Sequence, residues 1–138
     1  MTGRWRGSPK EIRVAAAVFV GVLAYGTAVH VVHLVGSGFD PYPELPVWLR
    51  TYFVALTILD PLAAVLLAWC TRTGVVLAAA VLVSNAFANG WANYALDTSV
   101  GITEGRFGHA VITLLALGIC AFGPQLWRAA ALPCQRPR

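Results

Sequence analysis

The run Val54 to Leu67, VALTILDPLAAVLL, is apolar almost throughout and carries Asp60-Pro61 at its middle. A carboxyl group in such a segment is either hydrogen-bonding glue or a group that gives and takes a proton. A charged aspartate at the centre of a membrane helix costs about 2.5–3.5 kcal/mol. An interhelical hydrogen bond returns only about 0.6 kcal/mol on average. Asparagine or serine would serve as glue at lower cost, so the acid points to proton chemistry. His30 and His33 stand three apart in another apolar run and are candidates to relay that proton. Asn85, Asn89 and Asn93 recur at a spacing of four, which puts them on one helix face. Such a stripe is either packing or a set of amides that orients an acid and its ligand. Thr57, Phe53, Trp48 and His109 complete the candidate ligand-binding set around the catalytic candidates Asp60, His30 and His33.

No metal or other cofactor is expected. The spacing of His30 and His33 would permit a metal ion. No HExxH motif accompanies them, and no carboxylate stands at ligand spacing. Haem would want axial histidines on facing helices, and His109 is the sole further histidine. Cys70, Cys120 and Cys134 show neither CxxC nor metal-ligand spacing, and no disulfide framework follows. Cys120 is expected to pack as a small hydrophobe.

These residues need elements to position them, and composition says what kind. The chain has 138 residues, 58% hydrophobic and 12% charged, with a mean hydropathy of +0.69. A soluble domain carries roughly 25% charged residues, so most of this chain cannot face water. Four apolar runs of about 20 residues read as membrane helices: 14–36, 52–70, 75–96 and 109–127. The first is too long for the apolar core of a signal peptide, about 7–15 residues, and reads as a retained span. The expected fold is all-α, a four-helix transmembrane bundle forming one unit over residues 1–138.

The charges orient it. Arg4, Arg6, Lys10, Arg13, Arg72, Arg128, Arg136 and Arg138 fall on one side, against Arg50 and Arg106 on the other. The excess of Lys and Arg places both termini in the cytoplasm, in the plasma membrane of a cell whose Arg-rich, Lys-poor usage looks bacterial. The net charge of +4 is thus a topology signal, and no basic patch for nucleic acid is visible. Phe39, Tyr42 and Trp48 in the first outer loop suit the headgroup belt. Pro46 suits the first turn of the second helix.

Depth follows from a rise of about 1.5 Å per residue. Asp60 and Asn85 fall at the midplane. His30 and His33 fall roughly 7 and 12 Å above it, level with Asn89 and Asn93. Each helix offers one partly polar stripe: Phe19, Leu23, Gly26, His30 and His33; Phe53, Leu56, Thr57, Asp60 and Ala64; the asparagines; and His109, Thr113, Ala116 and Cys120. Polar groups facing lipid would stay unsatisfied, so the stripes should turn inward and enclose an outward-facing polar cavity. Asp60 and Asn85 should meet there within hydrogen-bonding distance, directly or through one water. Pro61 removes a backbone bond to Thr57 and frees its carbonyl toward the same face.

The four-span plan, with PELPVWLRTYFVAL leading into an acidic second helix, resembles the EXPERA group of emopamil-binding sterol isomerases and sigma-2-type receptors. Trp48 matches a tryptophan near the start of the acid-bearing helix, and Asp60 stands where that group carries an acid, usually Glu. Asn89 and Trp91 loosely resemble an Asn and a Trp of the isomerases; the group's other catalytic acids find no counterpart. The chain also looks like small four-helix membrane proteins of actinobacteria. The resemblance implies a lipophilic ligand and acid–base chemistry on an alkene, as in an isomerase or cyclase. Two rivals stand beside it: a proton-coupled carrier working as a homodimer, and a non-enzymatic accessory subunit.

Overall fold

The computed structural model describes residues 5, 7–38 and 41–131. The expectations placed on Phe39, Cys134 and the terminal arginines Arg4, Arg6, Arg136 and Arg138 lie outside the described residues. Among the described residues the chain is all-helical. Its helices are α1 (Lys10–Gly36), α2 (Val47–Ala68), α3 (Arg72–Trp91) and α4 (Glu104–Ala131), with a π-helical turn, Ala92–Leu96, extending α3. All four are long and apolar enough to cross a membrane. Each helix begins about a turn before its expected apolar segment, at Lys10, Val47, Arg72 and Glu104, and α2 ends at Ala68, short of residue 70. Pro46 lies one place outside its expected position, capping α2 with extended backbone at ψ 146°, and Pro9 does the same for α1.

The connections explain where the helices stop. After α1 the Ser37 hydroxyl donates to His33 O at 2.7 Å, and Gly38 takes a left-handed φ of 64°. Between α2 and α3 the turn is tight. Cys70 adopts φ 58°, and Thr71 caps α3 by accepting from Gly74 N at 2.9 Å. Its hydroxyl also donates to Leu66 O at 2.8 Å. A side chain at Gly74 would run into the α2 backbone at Leu66–Leu67, so glycine is what lets the two helices fold back directly. The Trp5 indole donates to Leu67 O at 3.1 Å and closes this end of α2.

The other end is closed by one arginine. Arg106 donates to Asn93 O at 3.2 Å, to Gly101 O at 2.5 Å and to Ser99 O at 2.7 Å. Its guanidinium sits 5.4 Å from the Tyr94 ring centroid. These carbonyls belong to the end of α3 and the following loop, where helical partners run out. The π turn itself closes with Asp97 N reaching back to Ala92 O at 3.1 Å.

The helices pack in chain order. α1 lies on α2, α2 on α3 and α3 on α4, while the α4–α1 side is the lightest. Leu23, Leu49, Leu56, Leu67, Ile119 and Leu126 are fully buried between them. Cys120 does not join this core; it is exposed, because Ile119, a 100° step away, takes the inward position.

Candidate functional site

Asp60 is 2% exposed and is the buried charged residue among the described core. Its position follows from helical spacing: Phe53, Leu56, Asp60, Ala63 and Ala64 share the inward face of α2. Across from it α1 presents Gly26, whose missing side chain makes room for the carboxyl group. A methyl there would stand 2.5 Å from Asp60 Oδ2. One turn further along α1, His30 Nε2 lies 3.9 Å from the same oxygen. That exceeds hydrogen-bond length, so a proton passes between them only after a small shift or through a bridging group.

Two polar atoms here are buried without partners, Nδ1 of His30 itself and the hydroxyl of Thr57, one helical turn before Asp60. Thr27, by contrast, back-bonds to Leu23 O at 2.9 Å as helical threonines commonly do. Thr57 makes no such bond, and Pro61 supplies no N–H to the Thr57 carbonyl. A buried polar group left unpaired costs about 1–3 kcal/mol.

An aromatic wall covers the pair. His30 stacks on Phe53 at 6.2 Å between centroids, Phe53 meets Tyr42 at 5.3 Å, and Tyr42 stacks on His33 at 5.4 Å. Tyr42 takes φ 61°, a left-handed conformation uncommon for a residue with a large side chain, and this turns its ring back over α1 and α2. Burial pushes its phenol above the ordinary value. His33 is itself exposed and stacks on Tyr42 at the edge of the site.

The asparagines form a second cluster. Asn89 Nδ2 donates to Asn85 Oδ1 at 2.6 Å and to Asn85 O at 3.0 Å. Asn93 Nδ2 donates to Asn89 O at 2.9 Å. The His109 ring lies edge-on to Tyr94 at 5.3 Å and shares a 3.4 Å contact with the Thr113 hydroxyl. Its Nδ1 is buried and unpartnered. Gly90 and Gly105 give the room: a methyl at Gly90 would meet His109 Cε1 at 3.0 Å, and one at Gly105 would strike the Asn93 amide.

The expected bond between Asp60 and Asn85 is not made directly. Asn85 bonds within its own helix, and no side-chain hydrogen bond or ion pair joins the two clusters among the described residues. What links α2 to α3 nearby is Tyr52, whose hydroxyl meets the Ser84 hydroxyl at 2.7 Å. Thus Asp60, His30, Thr57 and Phe53 come together, with His33 behind Tyr42. Asn85, Asn89, Asn93 and His109 form a separate group. Trp48 joins neither: it lies outward against Trp91 at 6.4 Å. Sequence reasoning placed Gly26 on the inward stripe beside His30 but missed its close approach to Asp60, and it missed Tyr42 as part of the site. A glycine in helical register with His30 was the available signal for the close approach. Among the described residues no three His, Cys, Asp or Glu side chains gather as metal ligands do.

A groove of about 520 Å³ runs between α1 and α4, floored by Phe19 and Gly118 and lined by Val14, Val18, Leu114 and Phe122. It is mostly apolar, with Lys10 and Glu11 at one end. Comparison of the chain with protein-family models, with curated proteins and with solved structures finds no match.

Proposed function

We propose that the four helices span the plasma membrane with both termini in the cytoplasm. We propose further that the protein binds a small lipophilic molecule of isoprenoid or sterol-like size, exchanging a proton with it through Asp60. The observation that carries this reading is a buried acid near His30, whose Nδ1 is buried without a partner, on a helix face that also carries the unpartnered Thr57 hydroxyl. A structural acid would be expected to bring its hydrogen bonds with it. Here the carboxyl group, an imidazole nitrogen and a hydroxyl are left with capacity for a ligand.

The chemistry follows from the arrangement. Asp60 gives a proton to one carbon of an alkene, and the cation formed on the neighbouring carbon is held against the Phe53 and Tyr42 ring faces. His30 or the Asp60 carboxylate then takes a proton from an adjacent carbon, so the double bond moves and the proton count balances. The resemblance to the EXPERA group points the same way. Asn85, Asn89, Asn93 and His109, bonded among themselves, are proposed to shape the far wall of the ligand site and not to position the acid.

The test is extraction of the purified protein with organic solvent, followed by mass spectrometry, on the wild type and on Asp60→Ala. A lipophilic molecule retained by the wild type and lost from Asp60→Ala supports the reading. Equal retention by both, or none by either, contradicts it. Reporter fusions at the C-terminus test the orientation, and an outside signal overturns it.

A further inference from the structure

The outward face of α1 differs from those of the other helices. Where α2 presents Ile58 and Leu62, and α4 presents Leu114 and Leu117, α1 presents Tyr25 flanked by Gly21 and Ala28. Tyr25 is 73% exposed and near the middle of the helix. It makes no hydrogen bond among the described residues. Ser84, an exposed hydroxyl on α3 deep in the span, is satisfied by Tyr52. In a bilayer the Tyr25 hydroxyl would therefore lie near the midplane with no water, where an unpaired hydroxyl is strongly disfavoured.

The residues around Tyr25 repeat at alternating spacings of three and four. Gly21 and Ala28 are one step away on either side, Val18 and Val32 the next, Val14 and Val35 the last, and all are exposed. That is a seven-residue seam across the full span, the pattern of a left-handed pair of helices. Its size profile is nearly symmetric: two small layers enclose one large aromatic layer, and valines follow at both ends. In a parallel pair identical residues meet at the same depth. The small layers then leave room for two phenol rings, and each hydroxyl, both donor and acceptor, finds its partner in the other. Every copy of this chain inserts in the same orientation, so a second copy supplies the parallel match.

We propose that the protein is a homodimer joined by α1 against α1, with Tyr25 paired at the centre of the interface. The proposal rests on the membrane placement and is independent of what Asp60 does. The face away from Asp60 forms the contact, so each subunit keeps its own site.

The test is disulfide cross-linking in membrane vesicles. In a chain whose native cysteines are replaced, Gly21→Cys, Tyr25→Cys or Ala28→Cys is expected to give a covalent dimer on oxidation, and Leu117→Cys is not. Absence of dimer from all three α1 positions, or equal dimer from Leu117→Cys, overturns the proposal, as does cross-linking only to another protein. A second variant separates association from folding. A side chain at Gly21 meets nothing within 4 Å of its Cβ, so Gly21→Leu leaves the subunit intact. Its dimer dissociation constant is expected to rise about tenfold or more through loss of close helix packing, and an unchanged constant contradicts the interface.

Discussion

Replacing Gly26 by alanine puts a methyl group 2.5 Å from Asp60 Oδ2 and 3.4 Å from its Cγ. Contacts this short force a movement, and overpacking of this kind costs typically about 1–3 kcal/mol. The carboxyl group can rotate to relieve part of the clash, which places the expected cost near the lower end. Alanine also gains up to about 1 kcal/mol over glycine in a helix interior, so the net change in stability alone is small and ambiguous. A double-mutant cycle removes the ambiguity. In an Asp60→Ala background the clash is gone and only the helix gain remains. The two backgrounds should differ by about 1–2 kcal/mol, within the range found for residues in contact. Gly108→Ala, which meets nothing within 4 Å, should behave alike in both. The assay is reversible unfolding in mixed detergent micelles, read by tryptophan fluorescence. If Gly26→Ala has the same effect with and without Asp60, the close approach of α1 to the acid is wrong. The geometry of the site then falls with it.

Arg106→Ala removes three hydrogen bonds to backbone carbonyls and should destabilise by about 1–3 kcal/mol, with faster amide exchange over residues 92–101; Arg106→Lys should rescue little, since an ammonium cannot reach three carbonyls as a planar fork does. The Ser99 hydroxyl, and then its backbone N–H, hold the Asp97 carboxyl below the usual range. The turn they form, with Ser99 N donating to Asp97 Oδ1 at 2.8 Å, should therefore persist above the ordinary carboxylate pKa. It should be lost as pH falls through the lowered value, read as accelerated exchange of the Ser99 amide. Gly74→Ala, which would drive a methyl into the α2 backbone, should cost ~3 kcal/mol in the same unfolding assay because backbone yields less than side chain.

Much of the architecture was legible because long apolar runs and helical periodicity are strong signals. The burial of Asp60, Phe53 and Leu56 and the half-buried asparagine stripe all followed from spacing on a single helix. What spacing on one helix cannot supply is which neighbour a polar group chooses. Asn89 and Asn93 lie four residues from a backbone carbonyl in their own helix and bond there, so equal depth with Asp60 created no contact. Tyr42 read as a headgroup anchor because its role depends on a left-handed turn that nothing in its residue type announces. Arg106 read only as a charge on the outer side. Its task of closing carbonyls emerges once the loop from Asp97 to Thr103 folds around it. Cys120 failed because Ile119, one residue and a 100° step earlier, takes the inward position.

The central claim is that Asp60 exchanges a proton with a bound lipophilic molecule. Asp60→Asn tests it most directly, since asparagine keeps the volume and the hydrogen bonding of glue but releases no proton. The molecule extracted from the wild type is added back to stripped protein in weakly buffered micelles while proton exchange and conversion are followed. The wild type is expected to exchange protons on binding. Asp60→Asn is expected to fold normally, to exchange none, and to lose roughly 10²–10⁴-fold in any conversion rate, the usual contribution of a proton donor. Full conversion by Asp60→Asn with unchanged proton exchange would contradict the claim and leave Asp60 as structural glue.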